Sequence, residues 1–138
     1  MAFDLAPFLT GAYPRIPKLW GEEIWLCNQA KYCSKLLVLN PGFCCSIHRH
    51  AVKEETFFVM SGAVEVQTGS DPSAMPVEEK LAGDHLHLPP GTWHRFWAKS
   101  GAGECPTVIL EISTFHSEED VERFEDSRVM DPAELAGS

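Results

Sequence analysis

The chain has 138 residues, the length of one ordinary domain, and it carries a formal net charge of −9 at pH 7. The 11 basic residues are scattered among 20 acidic ones, which excludes a basic surface for a nucleic-acid backbone or an anionic membrane. We therefore expect neither nucleic acid nor a membrane as a partner.

The five cysteines are an odd number, and two of them, Cys44 and Cys45, are adjacent. The N-terminal stretch MAFDLAPFLT lacks the basic start and the long apolar core of a secretory signal. Reduced thiols in the cytoplasm fit both features best. Because no base lies beside the cysteine pair in the sequence, we expect structural thiols there and not a nucleophile.

The N-terminal segment, residues 1–18, contains Pro7, Pro14 and Pro17 among apolar residues. Prolines at this density favour an extended arm that lies over another surface. We expect the arm to cover a sheet edge or to contact another subunit. A homodimer formed through the arm or through a barrel edge is the predicted assembly.

The chain from residue 23 to residue 114 is predicted to form short β-strands separated by turns. β-Branched and aromatic residues are concentrated in the strands, and the sequences Asn-Pro-Gly, Ser-Gly and Pro-Pro-Gly mark breaks between them. No alternation of strands and helices is present, so we predict an all-β sandwich or barrel. The predicted strands are 23–27, 35–39, 45–50, 56–60, 64–68, 85–88, 93–98 and 108–114.

One short helix is predicted near the C-terminus. Ser117 is typical of an N-cap, Asp120 follows three residues later, and Val121 and Phe124 would share one helix face. We expect this helix to dock on the outside of the barrel and residues 131–138 to form a frayed tail.

Metal-binding side chains are concentrated around the end of the third predicted strand. His48 and His50 are two residues apart, so they lie on the same face of that strand. Glu55 begins the next strand and alternates with Phe57 and Val59, which directs its carboxylate toward the core. Because a lone buried charge is costly, a metal ion shared by the imidazoles and the carboxylate is the simplest explanation.

A further ligand is available after the Pro-Pro-Gly turn at residues 89–91. His94 alternates there with the inward-facing Phe96, so three histidines and one glutamate can converge. The alternative is that these histidines are ordinary core or surface residues, but their spacing favours the metal site. A second His-x-His pair, His85 and His87, has no companion carboxylate at a suitable offset, and we expect it at the surface or rim.

The two segments resemble the two-motif signature of the cupin superfamily. The asparagine that often closes the second motif is replaced here by Ala98. The matching positions are Gly42, five residues, His48, Arg49, His50, four residues, Glu55, six residues, Gly62; and Gly83, five residues, Pro89, Pro90, Gly91, two residues, His94.

This resemblance, which covers about residues 35–115, implies a double-stranded β-helix, the cupin or jelly-roll barrel. It also implies a divalent metal, and we expect Mn²⁺, with Fe²⁺, Co²⁺, Zn²⁺ and Ni²⁺ open because first-row ions overlap in ligand preference. The implied ligands are His48, His50, Glu55 and His94. The expected organisation is a single domain made of an N-terminal arm with leading strands (1–34), the barrel (35–116), and a C-terminal helix and tail (117–138).

Within the superfamily, the chain is similar to sugar isomerases of the D-lyxose isomerase type and, more loosely, to mannose-6-phosphate isomerase-like cupins. The similarity lies in LWGEEIWLCN, HRHAVKEETFFVMSG, PPGTWHRFWA, and VILEIST followed by an acidic stretch and ERF. It implies a metal-dependent aldose–ketose isomerase that acts on a small sugar, such as D-lyxose or D-mannose, through an enediol. Lys53 and Glu111 are the implied catalytic residues, and Arg123 is implied to contact the substrate.

Several alternatives stay open at this level. Glu111 lies in an apolar strand, where burial would raise its pKa toward that of a general base, unless it faces outward. Lys53 can equally be a solvated loop tip. Trp93 and Phe96 can stack on a sugar or simply belong to the core. The competing functions are a non-haem Fe(II) dioxygenase and a ligand-binding cupin without catalysis.

Overall fold

The structure, a computed structural model, describes residues 3–99 and 106–136, and in these residues the chain forms thirteen strands and one α-helix. Short 3₁₀ turns lie at Ala6–Phe8 and Glu118–Asp120, and the helix α1 is Pro132–Ala136. The strands are β1 (Arg15–Lys18), β2 (Gly21–Asn28), β3 (Cys33–Leu39), β4 (Phe43–Cys44), β5 (Ile47–His50), β6 (Glu55–Ser61), β7 (Ala63–Gly69), β8 (Val77–Leu81), β9 (His85–Leu88), β10 (Trp93–Ala98), β11 (Thr107–Ser113), β12 (Val121–Glu125) and β13 (Arg128–Val129).

The strands form two antiparallel sheets. The first sheet has the order β1-β2-β3-β11-β6-β9. The second has the order β12-β5-β10-β4-β13, and β7 pairs with both β10 and β8. This is the predicted all-β architecture of a double-stranded β-helix, and each of the eight predicted strands overlaps an observed one.

The main core lies between the two sheets. Leu37 and Phe57 reach it from the first sheet, and Val66 and Phe96 reach it from the second. Strand β6 shows why the chain folds this way, because its residues alternate strictly between buried and half-buried positions. The alternation directs Glu55, the first residue of β6, to the same side as the core.

The N-terminal arm covers the outer face of the first sheet. Phe3, Phe8 and Tyr13 pack against a second apolar cluster that includes Ile24 and Leu36, and β1 pairs with β2 at the sheet edge. The expectation of an arm laid over another surface is therefore confirmed for the described part of residues 1–18. The subunit contact, and the division of the chain into three parts, stay predictions.

The predicted position of the helix is wrong. Ser117 does cap a turn, because its side chain accepts a hydrogen bond from the Glu119 N–H, but the turn ends at Asp120. The chain then enters β12, which pairs with the outer edge of β5 and satisfies backbone groups that a helix would leave exposed. A short-range capping pattern could not reveal this long-range pairing.

The helix lies within the expected tail. Pro132 starts it, and Asp131 and Glu134 form a reciprocal capping box in which each side chain accepts from the other's N–H at 2.9 and 3.1 Å. Residues 137 and 138 of the expected tail lie outside the described residues.

Among the described residues, no helix has the length and apolar character needed to cross a lipid bilayer.

Candidate metal centre

Three histidines meet inside the barrel because β5 and β10 are neighbouring antiparallel strands. His94 on β10 lies directly opposite His48 on β5, and His50 follows two residues further along the same face. The ring centroids of His48 and His94 are 4.2 Å apart, and those of His48 and His50 are 5.4 Å apart. One nitrogen from each ring lies within 4.8 Å of the other two, so the three imidazoles can share one ion.

The hydrogen bonds of the histidines prepare them as ligands. Nδ1 of His48 lies 3.0 Å from the Ser46 carbonyl oxygen, and Nδ1 of His94 lies 3.0 Å from that of Thr92. A nitrogen that donates to a carbonyl carries the proton, so the opposite nitrogen keeps a free lone pair. Nε2 of His94 and Nδ1 of His50 are buried and make no hydrogen bond. Because Nδ1 of His94 carries the proton, its Nε2 is a buried acceptor without a donor, which fits a divalent cation.

Burial keeps the three rings neutral, which is the form that binds metal. Burial, reinforced by the nearby His94, holds the pKa of His48 well below its usual value. Burial and the charge of Lys53 lower the pKa of His50 to about 3. Burial also lowers the pKa of His94 to about 4. The histidines are therefore ready to bind an ion near neutral pH.

Glu55 borders the histidine group. Its carboxylate oxygens lie 3.6 Å from His50 Nε2 and 3.4 Å from His94 Nε2, and the side chain is 3 % exposed. Burial and the neighbouring charge of Glu111 raise the pKa of Glu55 to about 7, although Lys53 acts in the opposite direction. The structure thus brings together all four residues that the sequence predicts as ligands.

A buried ion pair lies beside the candidate ligands. Nζ of Lys53 is 2.7 Å from a Glu111 carboxylate oxygen and 3.1 Å from Glu55, and both Lys53 and Glu111 point inward. Lys53 is therefore not a solvated loop tip, and Glu111 is not an outward-facing surface residue. Burial alone would lower the pKa of Lys53, but Glu111 and Glu55 outweigh it and raise that pKa above its usual value.

The expected rise in the pKa of Glu111 is wrong. Burial by itself acts in that direction, but the positive charges of Lys53 and Lys35 and the Ser113 hydroxyl, which donates to Glu111 at 2.9 Å, outweigh it. The net result is a lowered pKa. The sequence could not reveal this result, because Lys35 on β3 and Lys53 in the loop between β5 and β6 reach Glu111 only through the fold.

A cavity of about 100 Å³ opens onto this cluster, enough for several water molecules or a small polar ligand. Phe96 lines it from the core side, and Arg123 lines it from β12, where it lies opposite His48. The titratable side chains of the site that line the cavity are His48, His50, Lys53, Glu111 and His116.

The structure does not bring Trp93 to this cavity. Its ring packs with Ile47 and Met75 in a separate apolar cluster and lies under the Arg49 guanidinium at 4.4 Å. The reason is the alternation along β10, which sends His94 and Phe96 inward and Trp93 to the opposite face.

Other expectations concern residues away from the cavity. The second histidine pair, His85 and His87, is exposed as expected, and His87 contacts Glu54. Cys44 and Cys45 are buried, and burial raises the pKa of Cys45 to about 12, which is typical of a structural thiol.

The sequence did not single out two buried groups at the site. Lys35 is 1 % exposed, with its Nζ 3.5 Å from Glu23 and 4.3 Å above the Trp25 ring. The available signal was its position two residues before Leu37 on β3, which places both side chains on the same, buried face of the strand. His116 is also buried and lies 3.0 Å from Lys53 Nζ, and no local pattern marks it.

The comparison with protein families decides which family this barrel represents. The model of the cupin domain matches residues 35–112, more than half of the chain. The chain belongs to the cupin family. The matched segment contains both histidine motifs, so the resemblance read from the sequence is confirmed.

Relatives of this cupin include sugar enzymes at low identity. It is 31% identical over 124 residues to the D-lyxose/D-mannose isomerase of Thermosediminibacter oceani, and the alignment covers 74% of this cupin and 66% of that protein. It is 28% identical over 109 residues to the alginate biosynthesis protein AlgA of Pseudomonas fluorescens, covering 78% of this cupin and 21% of AlgA. The cupin thus spans just under two thirds of the first relative and about a fifth of the second.

Solved structures confirm the fold. An oxalate decarboxylase from Bacillus subtilis superposes with a TM-score of 0.68 at 16% identity, over 82% of this cupin and 30% of that chain. KdgF from Halomonas sp. superposes with a TM-score of 0.64 at 14% identity, over 81% of this cupin and 94% of that chain. At these identities the likeness establishes the double-stranded β-helix and nothing about the reaction.

Proposed function

We propose that this cupin is a metal-dependent aldose–ketose isomerase that acts on a small sugar such as D-lyxose or D-mannose. The observation that carries the proposal is the buried pair of Glu111 and Lys53, 2.7 Å apart, in a cavity that is also lined by His48 and His50. The similarity to a D-lyxose/D-mannose isomerase supports the choice of reaction.

Glu111 is the proposed base. Aldose–ketose isomerisation moves a proton between two adjacent carbons through an enediol, so one carboxylate can take the proton from C2 and return it to C1. Glu111 lines the cavity, and the Ser113 hydroxyl holds one of its oxygens at 2.9 Å. Its lowered pKa keeps it ionised, and therefore able to accept a proton, at neutral pH.

Lys53 is the proposed partner acid. When the C2–H electron pair forms the new C1–C2 double bond, the electrons of the carbonyl bond move to the carbonyl oxygen, which takes a proton from the Lys53 ammonium. In the second half, the neutral Lys53 amine takes the proton of the C2 hydroxyl, and the protonated Glu111 returns its proton to C1. This gives the ketose and restores the carboxylate and the ammonium, so the reaction is balanced. The pair is buried, so solvent screens these charges weakly.

A divalent ion fits the side chains of His48, His50, Glu55 and His94, and when bound it would supply Lewis-acid stabilisation of the developing oxyanion. Mn²⁺ is the ion we propose, with Fe²⁺, Co²⁺, Zn²⁺ and Ni²⁺ as the alternatives. The sugar itself is proposed to contact Arg123 and Phe96, which both line the cavity.

The proposal is tested by incubating Mn²⁺-loaded protein with a panel of aldoses in D₂O and following the products by NMR. We expect ketose formation together with deuterium exchange at C2, because the base exchanges its proton with solvent between the two transfers. Absence of exchange with every aldose would discard the isomerase. Oxygen consumption by the Fe²⁺ form would favour a dioxygenase, and ligand binding without turnover would favour a binding protein.

A further inference from the structure

The segment that follows β11 contacts both the side-chain end and the backbone of Lys53. The proposed reaction assigns no role to these contacts. His116 contacts the ammonium group, and Asp120 contacts the backbone. We infer that His116 is a positioning residue whose tautomer is set by Glu118 and whose Nδ1 holds the Lys53 ammonium between Glu55 and Glu111. This inference rests on the proposed function of the same site.

The hydrogen bonds of His116 define its tautomer. Nε2 lies 2.7 Å from a Glu118 carboxylate oxygen, and an ionised carboxylate can only accept, so Nε2 carries the proton. Nδ1 then has a free lone pair, and it lies 3.0 Å from Lys53 Nζ. An ammonium group can only donate, so both contacts require the same neutral tautomer. Burial lowers the pKa of His116, although Glu118 acts in the opposite direction, which is consistent with a neutral ring.

The backbone of His116 is fixed independently of its ring. The His116 N–H donates to Asn28 Oδ1 at 2.9 Å, and the Asn28 side-chain amide donates to the His116 carbonyl at 3.1 Å. The Trp25 ring packs edge-on against the imidazole, with 5.6 Å between the ring centroids. The imidazole is therefore held in one place and can serve as a rigid anchor.

The backbone of Lys53 is held by the same segment. One Asp120 carboxylate accepts hydrogen bonds from the N–H groups of Ala51, Val52 and Lys53 at 2.9, 3.0 and 2.9 Å. Charge-assisted bonds to backbone N–H groups are stronger than neutral ones. The loop that carries Lys53 is thus fixed before its side chain enters the site.

The ammonium group is consequently surrounded by three acceptors, which match its three protons. The distances from Nζ are 2.7 Å to Glu111, 3.1 Å to Glu55 and 3.0 Å to His116. Without the third acceptor, the long lysine side chain is free to tilt toward the two carboxylates. Because small misplacements of a reacting group slow chemistry strongly, His116 should affect turnover through the position of the Lys53 ammonium.

Glu118→Gln is the sharpest test, because Glu118 is 66% exposed at its side chain and should be dispensable for folding. Glutamine can donate as well as accept, so it no longer fixes the tautomer of His116. We expect kcat to fall about tenfold, with KM and metal content unchanged. The matched control is Glu119→Gln, in the same exposed turn, which should leave all three values unchanged.

The ¹⁵N NMR signals of the His116 ring provide a readout that does not depend on activity. The wild type should show the Nε2–H tautomer, and Glu118→Gln should show a mixture. An Nδ1–H tautomer in the wild type, or equal kcat in Glu118→Gln and the wild type, would overturn the inference. If the wild type converts no aldose, the proposed function fails, and the tautomer still decides whether His116 holds Lys53 in this way.

Discussion

At the scale of single residues, the candidate site depends on the two-residue period of β-strands. The period places His48 and His50 on one face of β5, and the antiparallel register of β10 brings His94 opposite His48. The first relation follows from sequence spacing once the strand is accepted. The second is a long-range pairing, which the resemblance to cupins implied. The charge state of the buried carboxylates does not follow from spacing, because the pKa values of Glu55 and Glu111 depend on burial and on charges that the fold brings together.

Glu111→Gln tests the proposed base directly. The substitution keeps the size of the side chain and an oxygen for the Ser113 hydroxyl, but an amide cannot take up the C2 proton. We expect turnover to fall by about a thousandfold and the metal content to stay at the wild-type level.

The control is Glu54→Gln, because Glu54 is an exposed glutamate one residue from the candidate ligand Glu55. This variant should keep wild-type turnover and metal content. Metal loss in Glu111→Gln would mean that Glu111 supports the metal centre, and undiminished deuterium exchange would mean that another group is the base.

At the scale of elements, the connections between strands determine which strands can pair. Gly62 joins β6 in the first sheet to β7 in the second, and its φ of +77° lies in the left-handed region. An added Cβ there would lie 2.5 Å from the Thr107 hydroxyl oxygen and 2.9 Å from the Thr107 Cα. The crossing between the sheets therefore needs glycine for its conformation and for its lack of a side chain.

Gly62→Ala should consequently destabilise the fold more than Gly83→Ala. Gly83 also has a positive φ, +97°, but an added Cβ there meets no atom within 4 Å. We expect Gly83→Ala to lower the free energy of unfolding by about 1 kcal/mol and Gly62→Ala by about 3 kcal/mol. Urea unfolding of the metal-free variants measures both values. Equal losses in the two variants would show that the close contact with Thr107 is relaxed without cost.

The pairing of elements also explains what the sequence could not predict. Strands with a clear apolar alternation, such as β6 and β10, were predictable from local pattern. Strand β8 was missed because it is mostly exposed and its two apolar residues, Val77 and Leu81, stand at its ends, so it carries no such alternation. Strand β12 was missed because its conformation comes from pairing with β5, while its local sequence resembles the start of a helix.

At the scale of the whole molecule, two sheets enclose a polar cluster at one part of an otherwise apolar core. The two cupin motifs predicted the fold and the position of the candidate ligands, because each motif is a pattern of spacings that can be read within one short segment of the chain. Lys35 and His116 could not be assigned to the site in this way. Lys35 lies on β3 and His116 lies in the segment after β11, and neither belongs to a cupin motif. The homodimer stays a prediction.

The central claim is that His48, His50, Glu55 and His94 converge to hold one divalent ion, and calorimetric titration of chelator-stripped protein with Mn²⁺ tests it most directly. We expect one ion per chain in the wild type, binding weakened by about a hundredfold or more in His94→Ala, and wild-type binding in the surface control His87→Ala. Absence of binding in the wild type, or equal affinity in His94→Ala and the wild type, would contradict the account.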